Sequence, residues 1–143
     1  MDMRVLFAAG GLYSTVDDLL RWNTALHGGA LLDGAHHRQM VRAHANTSTP
    51  GEQHGYGVFL VPRRAPGRPQ RAGAPRQGAL AADDEHRERA PVVLSHDGRT
   101  DGFVASVQFD PASAASVIVL CNENDVAIAS IVDELWGIVA PAA

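Results

Sequence analysis

Residues Val92–Cys121, VVLSHDGRTDGFVASVQFDPASAASVIVLC, decide the fold. Two turn signals divide the run. VVLSH reads as a strand and GRTDG as a glycine-bounded turn. FVASVQF alternates Phe103, Ala105, Val107 and Phe109 against Val104, Ser106 and Gln108, the period of two expected of a strand with unlike faces. DPAS is a second turn, built from residues that preset φ or bond their own backbone. Ala115–Cys121 is apolar throughout, which predicts a strand that is central or covered on both faces. Strands joined this closely pair antiparallel, so the segment is a three-strand meander.

Downstream, Val126, Ile128, Ala129, Ile131, Val132, Leu135, Trp136 and Val139 place a broad apolar stripe on a helix over 126–139, with Pro141 beyond its end. That stripe is expected to pack on the meander. Upstream, Tyr56–Val61 reads as a strand closed by Pro62. Between it and the meander, residues 62–91 are rich in Pro, Gly, Ala and Arg and nearly free of large apolar residues, so they are expected to form a disordered insertion with a solvated basic character. NTSTPGEQ, residues 46–53, is read as loop. A short helix is expected over 34–44, capped by Asp33 with Met40 and Val41 inward. A longer one is expected over 14–27, with Ser14 as N-cap, Asp17 and Asp18 in the first turn, and Gly28-Gly29 as its stop. Val16, Leu19, Leu20 and Leu26 fall on one face of that helix, and Trp22 and Trp136 are expected in the core. Antiparallel strands with flanking helices give an α+β class rather than a doubly wound sheet, as one domain over 1–143.

Composition narrows the chemistry. The chain has 143 residues, a net charge of −4 and a single cysteine. No intrachain disulfide is possible, and Cys121 is read as a small buried hydrophobe. The absence of a basic surplus argues against nucleic acid as a partner. No stretch reaches the roughly 20 apolar residues of a membrane span, and the N-terminal run is too short for a secretory signal, so the compartment stays open. All twelve basic residues are arginine. Lysine chemistry, whether as general base, Schiff base or phosphate anchor, is therefore excluded. Arginine cannot stand in as a base, because it stays protonated at any working pH.

Two segments, AAGGLYSTVDDLLRW (residues 8–22) and SHDGRTDGF (residues 95–103), resemble the serine β-lactamase and D-alanyl-D-alanine peptidase family in its esterase-like branch. The first resembles the segment that enters the helix beside the family's active site. The second resembles the strand ending in His-x-Gly and its turn, and VASVQFDPASAASVIVLCNEND resembles the next two strands. The resemblance covers roughly residues 5–61 and 91–139. It implies a partial β-lactamase-like fold and a parent that hydrolyses a small ester, amide or lactam through an acyl-serine, without metal or organic cofactor. By the same resemblance, His96 lines the wall facing the nucleophile, Gly98 lets substrate backbone approach, and the N–H of Arg99 is an oxyanion donor. Gly10 and Gly11 then let the chain turn tightly beside the cleft. Asp97 stands where the family usually has a hydroxyl, and an acidic side chain there repels a substrate carboxylate. That favours an esterase- or peptidase-like parent over a β-lactamase.

The family's Ser-x-x-Lys and Tyr-x-Asn motifs are absent: no lysine exists, Tyr13 is followed by Ser-Thr, and Tyr56 by Gly-Val. The family places both upstream of AAGGL. The expectation is thus a C-terminal fragment, inactive alone, open to self-association or to pairing with the missing N-terminal part. The alternative is a non-catalytic binding module that keeps the cleft.

Other constellations are weaker. Ser14, His96 and Asp101 can be drawn as a triad, but no Gly-x-Ser-x-Gly elbow supports one. Ser95 and His96 are strand neighbours and point to opposite faces. His36, His37, His44 and His54 lack partners at metal-ligand spacing, although His37 and His44 would share a helix face. Asn122–Asp125 lacks the pattern of a calcium loop and reads as turn plus cap.

Overall fold

A computed structural model describes residues 10–62 and 92–139. Helix α1 (Val16–His27) leads into α2 (Gly34–Met40). Six strands follow, β1 (Ala45–Asn46), β2 (Gln53–His54), β3 (Phe59–Pro62), β4 (Val92–Thr100), β5 (Phe103–Asp110) and β6 (Ala115–Cys121), and helix α3 (Ile128–Val139) closes the described chain. The strands form one antiparallel sheet in sequence order. The architecture is α+β, with helices on both faces of the sheet.

Alternation assigns the faces. Gln108 lies opposite Val117 and Ser106 opposite Val119, and these residues look toward α3. There Val117, Val119 and Val132 form the buried core, flanked by Leu135 and Trp136. The Trp136 indole N–H donates to Gln108 Oε1 at 2.7 Å, which satisfies the polar end of a large apolar side chain. On the other face Leu60, Leu94, Phe109 and Ser116 stand in register across four strands. The Asn23 amide of α1 donates to Ser116 Oγ at 3.3 Å, and the His27 ring stacks on Phe109 with centroids 4.2 Å apart.

Several boundaries differ from the sequence expectation. The N-cap of α1 is Thr15, whose hydroxyl accepts the Asp18 N–H at 3.2 Å; Ser14 lies outside the helix. Helix α2 stops at Met40, so His44 falls outside it. Its ring instead stacks on Tyr56 with centroids 4.0 Å apart. Residues 46–53 are not all loop: they carry the turn of a small β1–β2 hairpin, closed where the Thr47 N–H donates to the Glu52 carbonyl at 3.2 Å. Strand β3 starts at Phe59 rather than Tyr56 and runs through Pro62. A Cβ at Gly55 would collide with the Met40 carbonyl oxygen, so the chain there is committed to the end of α2 before it can join the sheet. Pro62, expected to open the insertion, thus belongs to β3, and the rest of that expectation, residues 63–91, lies outside the described residues. Strand β6 is the end strand of the described sheet, not a central one, and owes its apolar character to helices α1 and α3 packing on its two faces.

Helix α1 differs most. Trp22 is 55% exposed, and Val16 and Leu20 are nearly as open, so this helix does not bury the apolar face its sequence predicts. Its C-terminal end is the better anchored one. His27 Nδ1 and His37 Nε2 lie 3.0 Å apart, joining α1 to α2 over Phe109. Burial and, secondarily, the neighbouring His37 lower the His27 pKa from 6.5 to about 4.

Two outcomes follow for stability. Val132→Ala, at the centre of the α3 contact, is expected to lower the free energy of unfolding by about 2 kcal/mol in urea titrations. For His27 the unfolded chain binds the proton more readily than the folded one. Its contribution is therefore intact above pH 6.5 and is lost as pH falls toward 4. The urea midpoint is expected to drop across that interval, and His27→Phe to flatten the drop.

Candidate active site

Strand β4 changes character halfway along. Val93, Leu94 and Ser95 are buried, whereas His96, Asp97, Gly98 and Arg99 are exposed. The reason is pairing. Strand β3 begins at Phe59, opposite Ser95, so from His96 onward β4 is hydrogen-bonded only to β5 among the described residues. Its other edge is open. The sequence expectation of a strand ending at His96 is thus corrected: β4 runs through Gly98 to Thr100, and the turn is only Asp101-Gly102. Gly102 takes φ +85°, a conformation glycine adopts without penalty.

A two-residue connection puts the flanking pair Thr100–Phe103 in the hydrogen-bonded position, so Arg99–Val104 falls in the non-hydrogen-bonded one. The N–H groups of Arg99 and Asp97 consequently point away from β5, toward the open edge. His96 pairs with Val107 and Gly98 with Ala105, on the face that α1 covers further along. Asp97 pairs with Ser106 and alternates to the other face. A Cβ at Gly98 would meet only Ala105 Cβ, at 3.7 Å, so neither crowding nor a positive φ requires glycine there.

His96 borders a groove of about 390 Å³ between α1, the segment after β2 and the sheet. Trp22, Leu26, Met40, Leu94, Val107 and Phe109 make it apolar, and Tyr56 stands with His96 at its margin. The Phe59 ring lies 6.2 Å from that of His96 and tilted at 45° to it. Trp22 and Tyr56 are the residues that sequence reading did not assign to a site. Nothing in the sequence marked Trp22 for the groove, since a helix's own pattern does not report whether a layer covers it.

The remaining candidates are dispersed. Gly10 is half-buried and Gly11 exposed, ahead of Leu12 and Tyr13, which are almost wholly exposed. Ser14 donates to the neighbouring Thr15 carbonyl at 3.4 Å and makes no hydrogen bond to His96. His36 bonds Asp33 at 2.8 Å, and the described residues contain no group of three or more His, Cys, Asp or Glu able to hold a metal ion. Nor, among them, is any helix long and apolar enough to cross a membrane.

The tip of the β4–β5 hairpin is tied down from the β6–α3 turn. Asn124 Oδ1 accepts the Gly102 N–H at 2.9 Å, and the Asn124 carbonyl accepts the Arg99 guanidinium at 2.8 Å. Asn122–Asp125 thus acts as a clamp on the strand that carries His96. Asn124→Ala is expected to speed hydrogen exchange at the Gly102 amide by about fivefold while leaving exchange at Val117 and Val119 unchanged, since one charge-neutral bond is worth about 1 kcal/mol.

No curated protein sequence matches the chain. The crystal structure of a penicillin-binding protein from Bacillus halodurans superposes with a TM-score of 0.59 at 18% identity, over 85% of this chain and 30% of that one. The chain thus spans under a third of that neighbour's length, and the likeness is one of fold. The Beta-lactamase family model matches residues 1–133, nearly the whole sequence, and the chain belongs to that family.

Proposed function

We propose that this chain forms one wall of an acyl-transfer cleft in a β-lactamase-related serine hydrolase and is catalytically inert by itself. What supports the reading is the open half of β4, where the Arg99 N–H turns outward beside Gly98 and His96 shares the groove side of the strand. An oxyanion formed by attack on an ester, amide or lactam carbonyl needs preorganised N–H donors, and a strand-edge amide beside glycine is one. His96 adds a titratable group able to hold or pass a proton near the reacting oxygen. Asp97, on the opposite face, brings negative charge to the same edge and disfavours substrates that carry a carboxylate there. The nucleophile and its lysine base must come from other polypeptide, because the chain has no lysine. In the completed cleft Gly10 and Gly11 would line the turn into α1.

A second reading, a binding module without chemistry, is favoured by the apolar groove and by the same lack of lysine. Hydrolysis of a p-nitrophenyl ester and of a chromogenic cephalosporin, measured beside His96→Ala, tests the proposal. The expected outcome is no turnover above buffer for either protein. Turnover by the native chain that disappears in His96→Ala would mean that it holds its own nucleophile, and the proposal would be wrong.

A further inference from the structure

We propose that His27 and His37 form an acid-operated latch between α1 and α2, closed by a proton that the two rings share and opened when each ring carries both of its own. The latch is independent of the proposed activity.

His27 is the last residue of α1 and His37 lies in α2, so one contact joins the two helices. His27 Nδ1 and His37 Nε2 are 3.0 Å apart. The ring centroids are 5.3 Å apart, which is that contact extended by one ring radius at each end, and the rings stand at 85°. Both nitrogens therefore lie on the line between the rings and meet head-on. That is the arrangement of an N–H pointing into a lone pair, whichever ring donates. A metal ion held by both nitrogens would need lone pairs converging on a point off that line, so the pair suits a proton and not an ion. The His27 ring also lies flat on Phe109 of β5, with centroids 4.2 Å apart at 10°.

Proton counting gives the latch its threshold. With both rings neutral, one N–H lies between them. A first added proton goes to the outward nitrogen of the donating ring and leaves the bond in place, now charge-assisted. A second has only the accepting lone pair to go to. It removes the acceptor and sets two cationic rings against each other. The stack on Phe109 tolerates either charge on His27, since an aromatic face accepts a cation, so the His37 contact is the one that acid breaks. Burial, and then the charge of His37, hold the His27 pKa down to about 4. The other charged groups nearby are engaged or turned away. On α2, Asp33 and His36 bond each other at 2.8 Å, and Arg38 is exposed. On β5, Asp110 alternates to the far face and is bonded within its own turn. Strand β6 meets α1 at the neutral Ser116, and on α1 itself Asp18 and Arg21 pair at the opposite end. His96 of β4 borders the same groove. Leu26 and His27 from α1 and Met40 from α2 line that groove, so parting the helices widens it on their side.

Amide hydrogen exchange on the full chain, followed by NMR from pH 7 to pH 4 and divided by the intrinsic rate at each pH, is the test. The Gly28 and Ala30 amides, bonded to the Thr24 and Ala25 carbonyls at 2.9 Å, report the end of α1, and those of Val117 and Val119 report the core. The closed latch binds its second proton less readily than the open one, so closure weakens as pH falls from 6.5 toward 4. The opening constant at Gly28 and Ala30 is expected to rise about a hundredfold across the titration, with both amides exchanging faster than Val117 and Val119 at every pH. His27→Phe keeps a flat ring on Phe109 with no proton to gain, and its α1 end is expected to ignore pH. His37→Gln separates the shared proton from burial. A Gln carbonyl accepts from His27 Nδ1 whether His27 is neutral or charged, so the rise is expected to shrink to less than about tenfold. A full rise that survives His37→Gln would assign the effect to burial of His27 alone and overturn the proposal. So would a native chain without the rise, a rise that persists in His27→Phe, or exchange at Gly28 and Ala30 no faster than at Val117 and Val119, which would mean global unfolding. If circular dichroism shows either variant unfolded, the two sets of amides in the native chain decide.

Discussion

The two-residue connection between β4 and β5 sets the phase of the whole meander. Asp101 and Gly102 leave no slack, and Gly102 supplies the positive φ that so short a turn requires. Thr100 is thereby held opposite Phe103, and the alternation of paired and unpaired positions propagates from there. From it follow the outward N–H of Arg99, the shared face of His96 and Gly98, and the opposite face of Asp97. Carried across β5, the same phase places Val117 and Val119 against α3 and turns the backbone of Ser116, Ile118 and Leu120 to the outside. A slip of one residue would exchange every one of these assignments and put the valines of β6 on the wrong face. The buried Val132 contact and the Gln108–Trp136 bond both resist such a slip.

Within that frame, stability is unevenly spread. The α3 face is well packed, with valines from one strand meeting a helix and the single indole N–H satisfied. Asp110, wholly buried at the end of β5, is held by the Ala112 N–H at 3.0 Å and the Ser113 hydroxyl at 2.7 Å, so the turn into β6 is closed by a carboxylate with its acceptors used. The α1 face is looser. Its contacts concentrate at Asn23 and His27, while Val16, Leu20 and Trp22 stay open. A helix whose apolar side is covered only at one end leaves the groove beside His96.

What could be read from sequence follows the strength of each local signal. Strand β5 and helix α3 were legible from sustained periodicity, and β6 from a short β-branched apolar run bounded by turn signals. The cap of α2 at Asp33 was legible for the same kind of reason, since its carboxylate takes the Ala35 and His36 amides at 2.9 Å. The far half of β4 was not. Gly98, Arg99, Thr100, Asp101 and Gly102 carry turn propensity, and only the ladder with β5 draws the first three into the strand. The β1–β2 hairpin was invisible because two-residue strands have no period. Trp22 was misread because burial is a property of the layer above a helix, which a helix's own pattern does not report. At the candidate site, the identity of His96, Gly98 and Arg99 was accessible only through family resemblance, while the direction of the Arg99 N–H needed the register.

Fold and chemistry separate cleanly in this chain. The Beta-lactamase family model matches residues 1–133, a stretch without a lysine, and family membership does not by itself carry a chemistry. The reaction implied by that family does require one, since deprotonating a serine hydroxyl near neutral pH needs a base that arginine cannot provide. On the proposed reading, the residues that hold the fold and those that serve the cleft are different ones. The valines that meet α3 would be held by packing whatever the cleft does. Gly98, which no contact among the described residues demands, is on the proposed reading held by what approaches the open edge of β4. That asymmetry makes Gly98 more informative than His96, because a histidine at an exposed strand position has other reasons to be tolerated and a glycine in mid-strand, which weakens the strand, has few.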